Sequence, residues 1–125
     1  MWQFVSGGGE EGETPAQAAR RESFEEAGIA PSSRFMPLDS TTTIPACWYE
    51  AWAEWPASLL VIPEYAFAVE ADACRIVLSD EHQEFRWVPY GDALELVRFD
   101  SNRGALWELK ERLFPGPRCR RPAYC

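Results

Sequence analysis

Three glutamates, Glu22, Glu25 and Glu26, have the spacing of side chains that share one face of an α-helix. At about 100° per residue, they fall within an arc of roughly 100°. Like charges at these spacings destabilise a helix, and Arg21 can offset only part of that repulsion. A divalent cation such as Mg²⁺ would offset all of it, because it takes carboxylate, water and phosphate oxygens as ligands. A solvated acidic face is the alternative that these residues alone leave open.

The residues around the glutamates predict the limits of this helix. Thr14 can cap its first turn, Pro15 suits the first helical position, and Gln17 completes a capping box. Gly28 tolerates the left-handed conformation in which many helices end. The sequence therefore predicts a helix over residues 15–27, entered from a glycine-rich loop.

The glycine-rich loop also matches the dinucleotide-binding fingerprint at Gly7, Gly9 and Gly12. That interpretation is excluded, because Glu10 and Glu11 within the loop would repel a pyrophosphate and no βαβ unit surrounds them. A Walker loop is excluded as well, since it requires a lysine that this loop lacks.

The spacing of the charged residues and glycines resembles the Nudix box. That box is a glycine, five residues, a glutamate, seven residues and then Arg-Glu-hydrophobic-x-Glu-Glu-x-Gly-hydrophobic. The matching positions are Gly7, Glu13, Arg21-Glu22, Glu25-Glu26 and Gly28-Ile29. Ser23 stands where the family prefers an apolar residue, a departure that weakens helix packing without removing a carboxylate.

Shorter motifs outside the box resemble one Nudix subgroup, the dihydroneopterin triphosphate and dATP pyrophosphohydrolases. These motifs are Trp2-Gln3-x-Val5-Ser6-Gly7, Ser79-x-Glu81-His82, Phe85-x-Trp87 and Ser101-Asn102-Arg103. The resemblance implies an α/β fold, a Nudix-type α/β/α sandwich with a mixed β-sheet. Nudix domains usually carry one or two strands before this tryptophan, so we expect those N-terminal strands to be lacking. An open sheet edge invites pairing with another chain, and we therefore expect a homodimer.

The resemblance also implies which residues bind metal. The side chains of Glu22, Glu25 and Glu26 would bind Mg²⁺, for which Mn²⁺ can substitute, with Glu26 as the most direct ligand. The backbone carbonyl of Ser6 would be a further ligand. Glu81 would reach the metal from a distant loop, as an additional ligand or as the general base.

Supporting and catalytic roles follow from the same resemblance. Arg21 would orient Glu22 through a charge-assisted hydrogen bond, and Glu13 would support the loop and the helix N-terminus. The catalytic residues would then be Glu22, Glu25, Arg21 and Glu81. Glu84 is an alternative to Glu81, and His82 is either a base or substrate contact or a residue that orients this loop.

The function implied is Mg²⁺-dependent hydrolysis of a (deoxy)nucleoside or pterin triphosphate to the monophosphate and pyrophosphate. Metal ions would neutralise phosphate charge and lower the pKa of the attacking water. The alternative is a vestigial Nudix module that binds metal or nucleotide without turnover. The substrate itself cannot be named from the box, because base recognition lies outside it.

Length and charge restrict the class of protein. The 125 residues suffice for one domain, and the formal net charge of −8 argues against nucleic acid as a partner. No apolar run approaches the length of a membrane span, and no signal peptide is visible. The four cysteines lack Cys-x-x-Cys spacing, so we expect free thiols and a cytoplasmic location.

The remaining pattern predicts a strand before the loop, several strands in the middle of the chain and two helices at its end. The predicted strands span residues 1–5, 59–62, 65–70, 75–78 and 85–88, with broken strands over 40–55 after a connector over 30–38. The predicted helices run from Pro89 to Val97 and from a cap at Asp100 or Ser101 to Phe114, with Leu106, Leu109 and Leu113 facing the core.

We expect one domain over residues 1–115 and a mobile tail over 116–125. Trp48, Trp52 and Trp55 either stack a nucleobase or pack in a core or interface.

Overall fold

The computed structural model of the chain describes residues 2–72 and 75–118. These residues form three α-helices, two β-strands and two short 3-10 helices. In chain order they are α1 (Pro15–Ala27), β1 (Phe35–Pro45), 3-10 helices at Ala46–Trp48 and Glu50–Glu54, β2 (Val61–Val69), α2 (Tyr90–Leu96) and α3 (Asp100–Leu113). The predicted α/β class is confirmed.

Helix α1 begins and ends at the predicted residues. The backbone N–H of Gln17 donates to the Thr14 hydroxyl at 3.2 Å, and the Gln17 side chain accepts from the Thr14 N–H at 2.9 Å. Gly28 ends the helix in the left-handed conformation, with φ of 68°, and its N–H donates to the Phe24 carbonyl. Local sequence signals therefore fix the helix that carries the three glutamates.

The middle of the chain forms one antiparallel hairpin, which corrects the prediction of a connector followed by several strands. β1 pairs with β2 from Phe35 opposite Val69 to Pro45 opposite Val61. The segment over 40–55, predicted as broken strands, is the second half of β1 followed by the two 3-10 helices, which close the hairpin. Prolines are tolerated in these strands because both strands of a two-stranded sheet are edges.

The hairpin has an irregular register that is held by helix α3. The pairing shifts between Pro37 and Thr41, and the Glu108 carboxylate contacts the irregular stretch. It accepts hydrogen bonds from the Asp39 N–H at 2.7 Å and from both the N–H and the hydroxyl of Ser40 at 2.6 Å. α3 is thereby fixed to β1 through the unpaired donors of a bulge.

The N-terminus contributes one bridge instead of the predicted strand. Trp2 pairs with Val97 in an isolated parallel bridge, and residues 3–5 are not in a strand. The segments 75–78 and 85–88 are likewise not strands, and among the described residues the sheet has two strands, which are antiparallel.

The two C-terminal helices lie close to their predicted positions, but two details of α3 were wrong. Its N-cap is Phe99, with no side-chain cap from Asp100 or Ser101. Leu113 is 58% exposed, while Ala105 is buried. Leu106 and Leu109 are half-buried, so of the three predicted core leucines Leu113 is the one that the structure places in solvent.

Small residues dominate the buried interior of the described chain. The buried apolar residues are Ala18, Ala27, Ala46, Val97 and Ala105. Many large apolar side chains are exposed instead, including Trp48 at 70% and Leu60 at 74% in the segment that closes the hairpin. Within the described ranges, no helix is both long and apolar enough to cross a bilayer.

Candidate active site

Four carboxylates line a single open cleft of about 330 Å³. Glu22, Glu25 and Glu26 reach it from α1, and Glu81 reaches it from the loop before α2, together with Ser79. The structure thus brings Glu81 to the helix face on which the sequence placed the other three. Glu84, the alternative to Glu81, does not line the cleft, and its carboxylate lies 3.6 Å from the Arg86 guanidinium.

Backbone hydrogen bonds to the end of α1 place the Glu81 loop. The Val77 N–H donates to the Ala27 carbonyl, and the Ser79 N–H donates to the Glu26 carbonyl, both at 3.0 Å. The last carbonyls of a helix have no partner within it, so they are available for this docking. The His82 N–H then donates to the Ser79 carbonyl at 3.2 Å, which turns the chain and brings Glu81 toward α1.

Arg21 organises the carboxylates on the other side of the cleft. Its guanidinium forms two hydrogen bonds with Glu13, at 2.8 and 2.9 Å, and one with the Gly8 carbonyl at 2.8 Å. The same group donates to Glu22 at 2.8 Å and to Glu25 at 3.1 Å. The hydrogen bond from Arg21 to Glu22 that the family resemblance implies is therefore present.

These contacts shift the titration of both Arg21 and Glu13. Hydrogen bonds from the Arg21 side chain and, to a smaller extent, from the Glu10 backbone N–H lower the pKa of Glu13 from 4.5 to about 2. Hydrogen bonds to Glu13 and Glu22 raise the pKa of Arg21 above its usual value. Both groups therefore stay charged throughout the physiological range.

Gly7, the first residue of the box, lies against Glu22. A Cβ atom at position 7 would overlap the carboxyl group of Glu22, so a larger residue there would displace that side chain. Gly8 and Gly9, in contrast, face open space. Ser6, whose carbonyl the resemblance implies as a ligand, precedes this contact in the chain but does not line the cleft.

His82 contacts the most buried of the carboxylates. Its Nε2 lies 3.1 Å from Oε2 of Glu26, a residue that is 8% exposed. Sequence reasoning left open whether His82 is a base, a substrate contact or a residue that orients the loop. The structure places it where it fixes the orientation of Glu26 and ties the loop to α1.

The donor chemistry of the cleft suits a hard divalent cation, since the lining side chains offer only oxygen atoms. As arranged, however, no three His, Cys, Asp or Glu side chains among the described residues form a group that could hold a metal ion. Arg21 and His82 instead bind oxygens of Glu22, Glu25 and Glu26. The residues thus fit Mg²⁺ in the kind of donor atom, while in the present arrangement Arg21 and His82 contact several of those oxygens.

The aromatic cluster predicted as a base-stacking or packing element lies outside this cleft. The segment that closes the hairpin contains Trp48, Trp52 and Trp55. In it, the ring centroids of Tyr49 and Trp55 are 5.8 Å apart. Cys47 in the same segment is an exposed free thiol. The other cysteines, Cys74, Cys119 and Cys125, and most of the predicted tail lie outside the described residues.

Comparison with protein families gives a match to the Nudix domain over residues 1–108. The chain belongs to the Nudix family. Its structure is similar to the crystal structure of a Listeria monocytogenes protein assigned to the Nudix hydrolases, with a TM-score of 0.76 and 42% sequence identity. That similarity covers 90% of this chain and 75% of the Listeria chain.

A second relative is a protein of Myxococcus xanthus named octanoyltransferase. It is 35% identical over an alignment of 106 residues, and the alignment covers 82% of this chain and 27% of the relative. The chain therefore spans about a quarter of the length of this relative. The assignment to the Nudix family rests on the domain match, and the similarity of fold rests on the Listeria structure.

Proposed function

We propose that this Nudix protein hydrolyses a (deoxy)nucleoside or pterin triphosphate, with Mg²⁺, to the monophosphate and pyrophosphate. The observation that carries the proposal is the cleft in which Glu22, Glu25 and Glu26 of the box meet Glu81. Arg21 offsets part of the repulsion among these carboxylates, and a divalent cation with oxygen ligands would offset the rest. The short motifs shared with the dihydroneopterin triphosphate and dATP subgroup favour a triphosphate as the substrate.

The proposed roles of the side chains come from the resemblance to the Nudix family, and the contacts in the cleft support some of them. Bound Mg²⁺ would neutralise phosphate charge and acidify the attacking water. Glu22, Glu25 and Glu26 would hold the metal, for which Mn²⁺ can substitute, and the Ser6 carbonyl is a further proposed ligand. Arg21 keeps Glu22 in place.

Glu81 is the proposed general base. It is exposed at the cleft, so its carboxylate is free to approach the water, whereas the Glu26 carboxylate is held by His82. In the proposed step the water oxygen forms a bond to phosphorus, its proton passes to Glu81, and the α–β phosphoanhydride bond breaks so that pyrophosphate leaves.

A substrate panel tests this proposal. Pyrophosphate and phosphate release would be measured with and without Mg²⁺ from nucleoside triphosphates, deoxynucleoside triphosphates, dihydroneopterin triphosphate, ADP-ribose and diadenosine tetraphosphate. We expect Mg²⁺-dependent release of pyrophosphate from a triphosphate. Release from ADP-ribose alone would contradict the triphosphate assignment.

A second candidate is a metal- or nucleotide-binding module without turnover. The observation in its favour is that Arg21 and His82 already contact oxygens of Glu22, Glu25 and Glu26, which leaves fewer carboxylate oxygens for the chemistry of turnover. This candidate predicts binding of Mn²⁺ or nucleotide by a folded protein that releases no phosphate from the panel. Robust turnover of any triphosphate would refute it.

We also propose that the protein is a homodimer in the cytoplasm. The exposed apolar side chains of the hairpin closure, Trp48, Trp52 and Leu60, support association. Light scattering at micromolar concentration should give twice the chain mass of 14.2 kDa. A monomer mass at that concentration would contradict the dimer.

A further inference from the structure

The hydroxyl of Ser79 is buried beside the four carboxylates and has no hydrogen-bond partner among the described residues. A buried hydroxyl without a partner is uncommon, because leaving it unpaired costs about 1–3 kcal/mol. Such a group in a cleft is a candidate for contact with a bound ligand. Sequence reasoning placed Ser79 in a short motif but gave it no role.

The backbone of Ser79 is fixed on both sides. Its N–H donates to the Glu26 carbonyl at 3.0 Å, and its carbonyl accepts from the His82 N–H at 3.2 Å. The backbone of Ser79 therefore stays at the cleft as long as the Glu81 loop is docked on α1. The hydroxyl itself is buried and unpaired, and rotation about χ1 is the movement that would present it to a ligand in the cleft.

Ser79 also differs in chemistry from the other residues that line the cleft. Those residues are all glutamates, whose ionised side chains only accept hydrogen bonds. A serine hydroxyl can donate one. Among the lining side chains of the described chain, Ser79 is thus the one suited to a ligand oxygen that is itself an acceptor.

We propose that the Ser79 hydroxyl donates a hydrogen bond to a phosphate oxygen of the polyphosphate that binds in this cleft. The inference rests on the proposed function, because it takes the ligand to be a polyphosphate. Ser79 is a substrate-binding residue in this account. A contact with bound metal or with metal-bound water would be a different role, and it is separated from this one by measuring metal binding alone.

Calorimetric titration tests the contact with two probes, Mn²⁺ alone and inorganic pyrophosphate in the presence of Mn²⁺. Ser79→Ala should bind Mn²⁺ as the wild type does and bind pyrophosphate about 10-fold more weakly, as expected for one hydrogen bond to a charged group. Ser79→Thr, which keeps the hydroxyl, should restore pyrophosphate binding. Ser58→Ala, at an exposed serine of the hairpin closure, should leave both affinities unchanged.

Thermal unfolding without ligands gives a readout that is independent of binding. Because the hydroxyl is unpaired, Ser79→Ala should unfold at the same temperature as the wild type or higher. A destabilised Ser79→Ala that binds pyrophosphate normally would overturn the inference and assign the hydroxyl a structural role. Equal weakening of Mn²⁺ and pyrophosphate binding would also overturn it, in favour of a role at the metal.

The inference and the proposed function can fail separately. If Ser79→Ala loses pyrophosphate affinity in a protein that hydrolyses no triphosphate, the Ser79 contact stands and the proposed catalysis fails. If the wild type hydrolyses a triphosphate and Ser79→Ala binds pyrophosphate equally well, the catalysis stands and the Ser79 contact fails. A wild type that binds no pyrophosphate overturns the inference.

Discussion

Arg21 and Glu13 form a two-point ion pair, with Nε 2.8 Å from Oε2 and Nη2 2.9 Å from Oε1. Glu13 also accepts the Glu10 N–H at 3.0 Å, and the Arg21 guanidinium reaches the Gly8 carbonyl. One arginine therefore joins the glycine-rich loop to the helix that carries the metal-binding candidates. This arrangement explains why the box places a glutamate well before its arginine: the pair closes the loop over the helix face.

Replacing Arg21 by lysine should impair the site while keeping its charge. Lysine lacks the planar fork that holds two carboxylate oxygens together, so Glu13 and Glu22 would lose their common anchor. We expect a fall of about 10–100-fold in triphosphate hydrolysis, the usual effect of losing a residue that orients a metal ligand. Initial rates measure it, and Arg34→Lys, at an exposed position, is the matched control. Equal rates for the two variants would contradict this role.

Replacing Gly7 by alanine should displace Glu22. The added Cβ would overlap the Glu22 carboxyl group, whereas at Gly9 it would face open space. Gly7→Ala should therefore bind Mn²⁺ about 10-fold more weakly than Gly9→Ala, on the scale of disturbed metal ligands. Titration with Mn²⁺ measures the difference. If both variants bind like the wild type, Glu22 is not held at the metal by this contact.

Removal of the Glu108 carboxylate should destabilise the hairpin and leave the arrangement of the cleft residues unchanged. Glu108→Ala leaves the N–H groups of Asp39 and Ser40 without their acceptor, at a cost of about 1–3 kcal/mol. Urea unfolding should show this loss, and Glu95→Ala, at an exposed position on α2, should stay within about 0.5 kcal/mol of the wild type. A Glu108→Ala variant as stable as the control would show that water replaces the carboxylate at the bulge.

Stability should fall at acid pH, partly because of Glu108. Burial raises the pKa of this carboxyl, but hydrogen bonds from Ser40, Asp39 and Arg112 outweigh burial and lower it from 4.5 to about 2. A depressed pKa in the folded state adds stability above the unfolded value, and that contribution is lost as the pH falls from 4.5 toward 2.

Urea midpoints between about pH 6 and pH 2 measure this contribution. The Glu108→Gln variant should lose less stability over the acid range than the wild type, because it has no carboxyl to protonate there. Glu13, whose pKa is also about 2, remains in both proteins and keeps part of the acid dependence. Identical pH profiles for the two proteins would contradict the assignment to Glu108.

The helix with its glutamates could be predicted because its signals are local. The cap at Thr14, the stop at Gly28 and the carboxylate spacing between them all act within about one or two helical turns. The hydrogen bond from Arg21 to Glu22 was expected from the resemblance to the Nudix box and not from helix geometry, because adjacent side chains of a helix do not face each other. These features are therefore present as the sequence indicated.

The hairpin and its attachment to α3 could not be predicted in the same way. Strand pairing and the Glu108 contact join residues that are far apart in the chain, and no local signal marks either partner. The prolines in β1 and β2 argued for breaks in the strands, but edge strands accept them. The choice between Glu81 and Glu84 also depended on a distant contact, the docking of the Ser79 N–H on the end of α1.

The rate of triphosphate hydrolysis by Glu26→Gln tests the central claim most directly. Glu26 is the most buried carboxylate of the cleft, and glutamine keeps its size while removing the charge that we propose binds Mg²⁺. Glu54→Gln, in the hairpin closure, is the matched control for loss of one carboxylate. We expect the rate of Mg²⁺-dependent pyrophosphate release by Glu26→Gln to be at least about 100-fold lower than that of the wild type. The circular dichroism spectrum of this variant should be unchanged, and Glu54→Gln should be fully active. Undiminished release by a folded Glu26→Gln would contradict catalysis at this cleft.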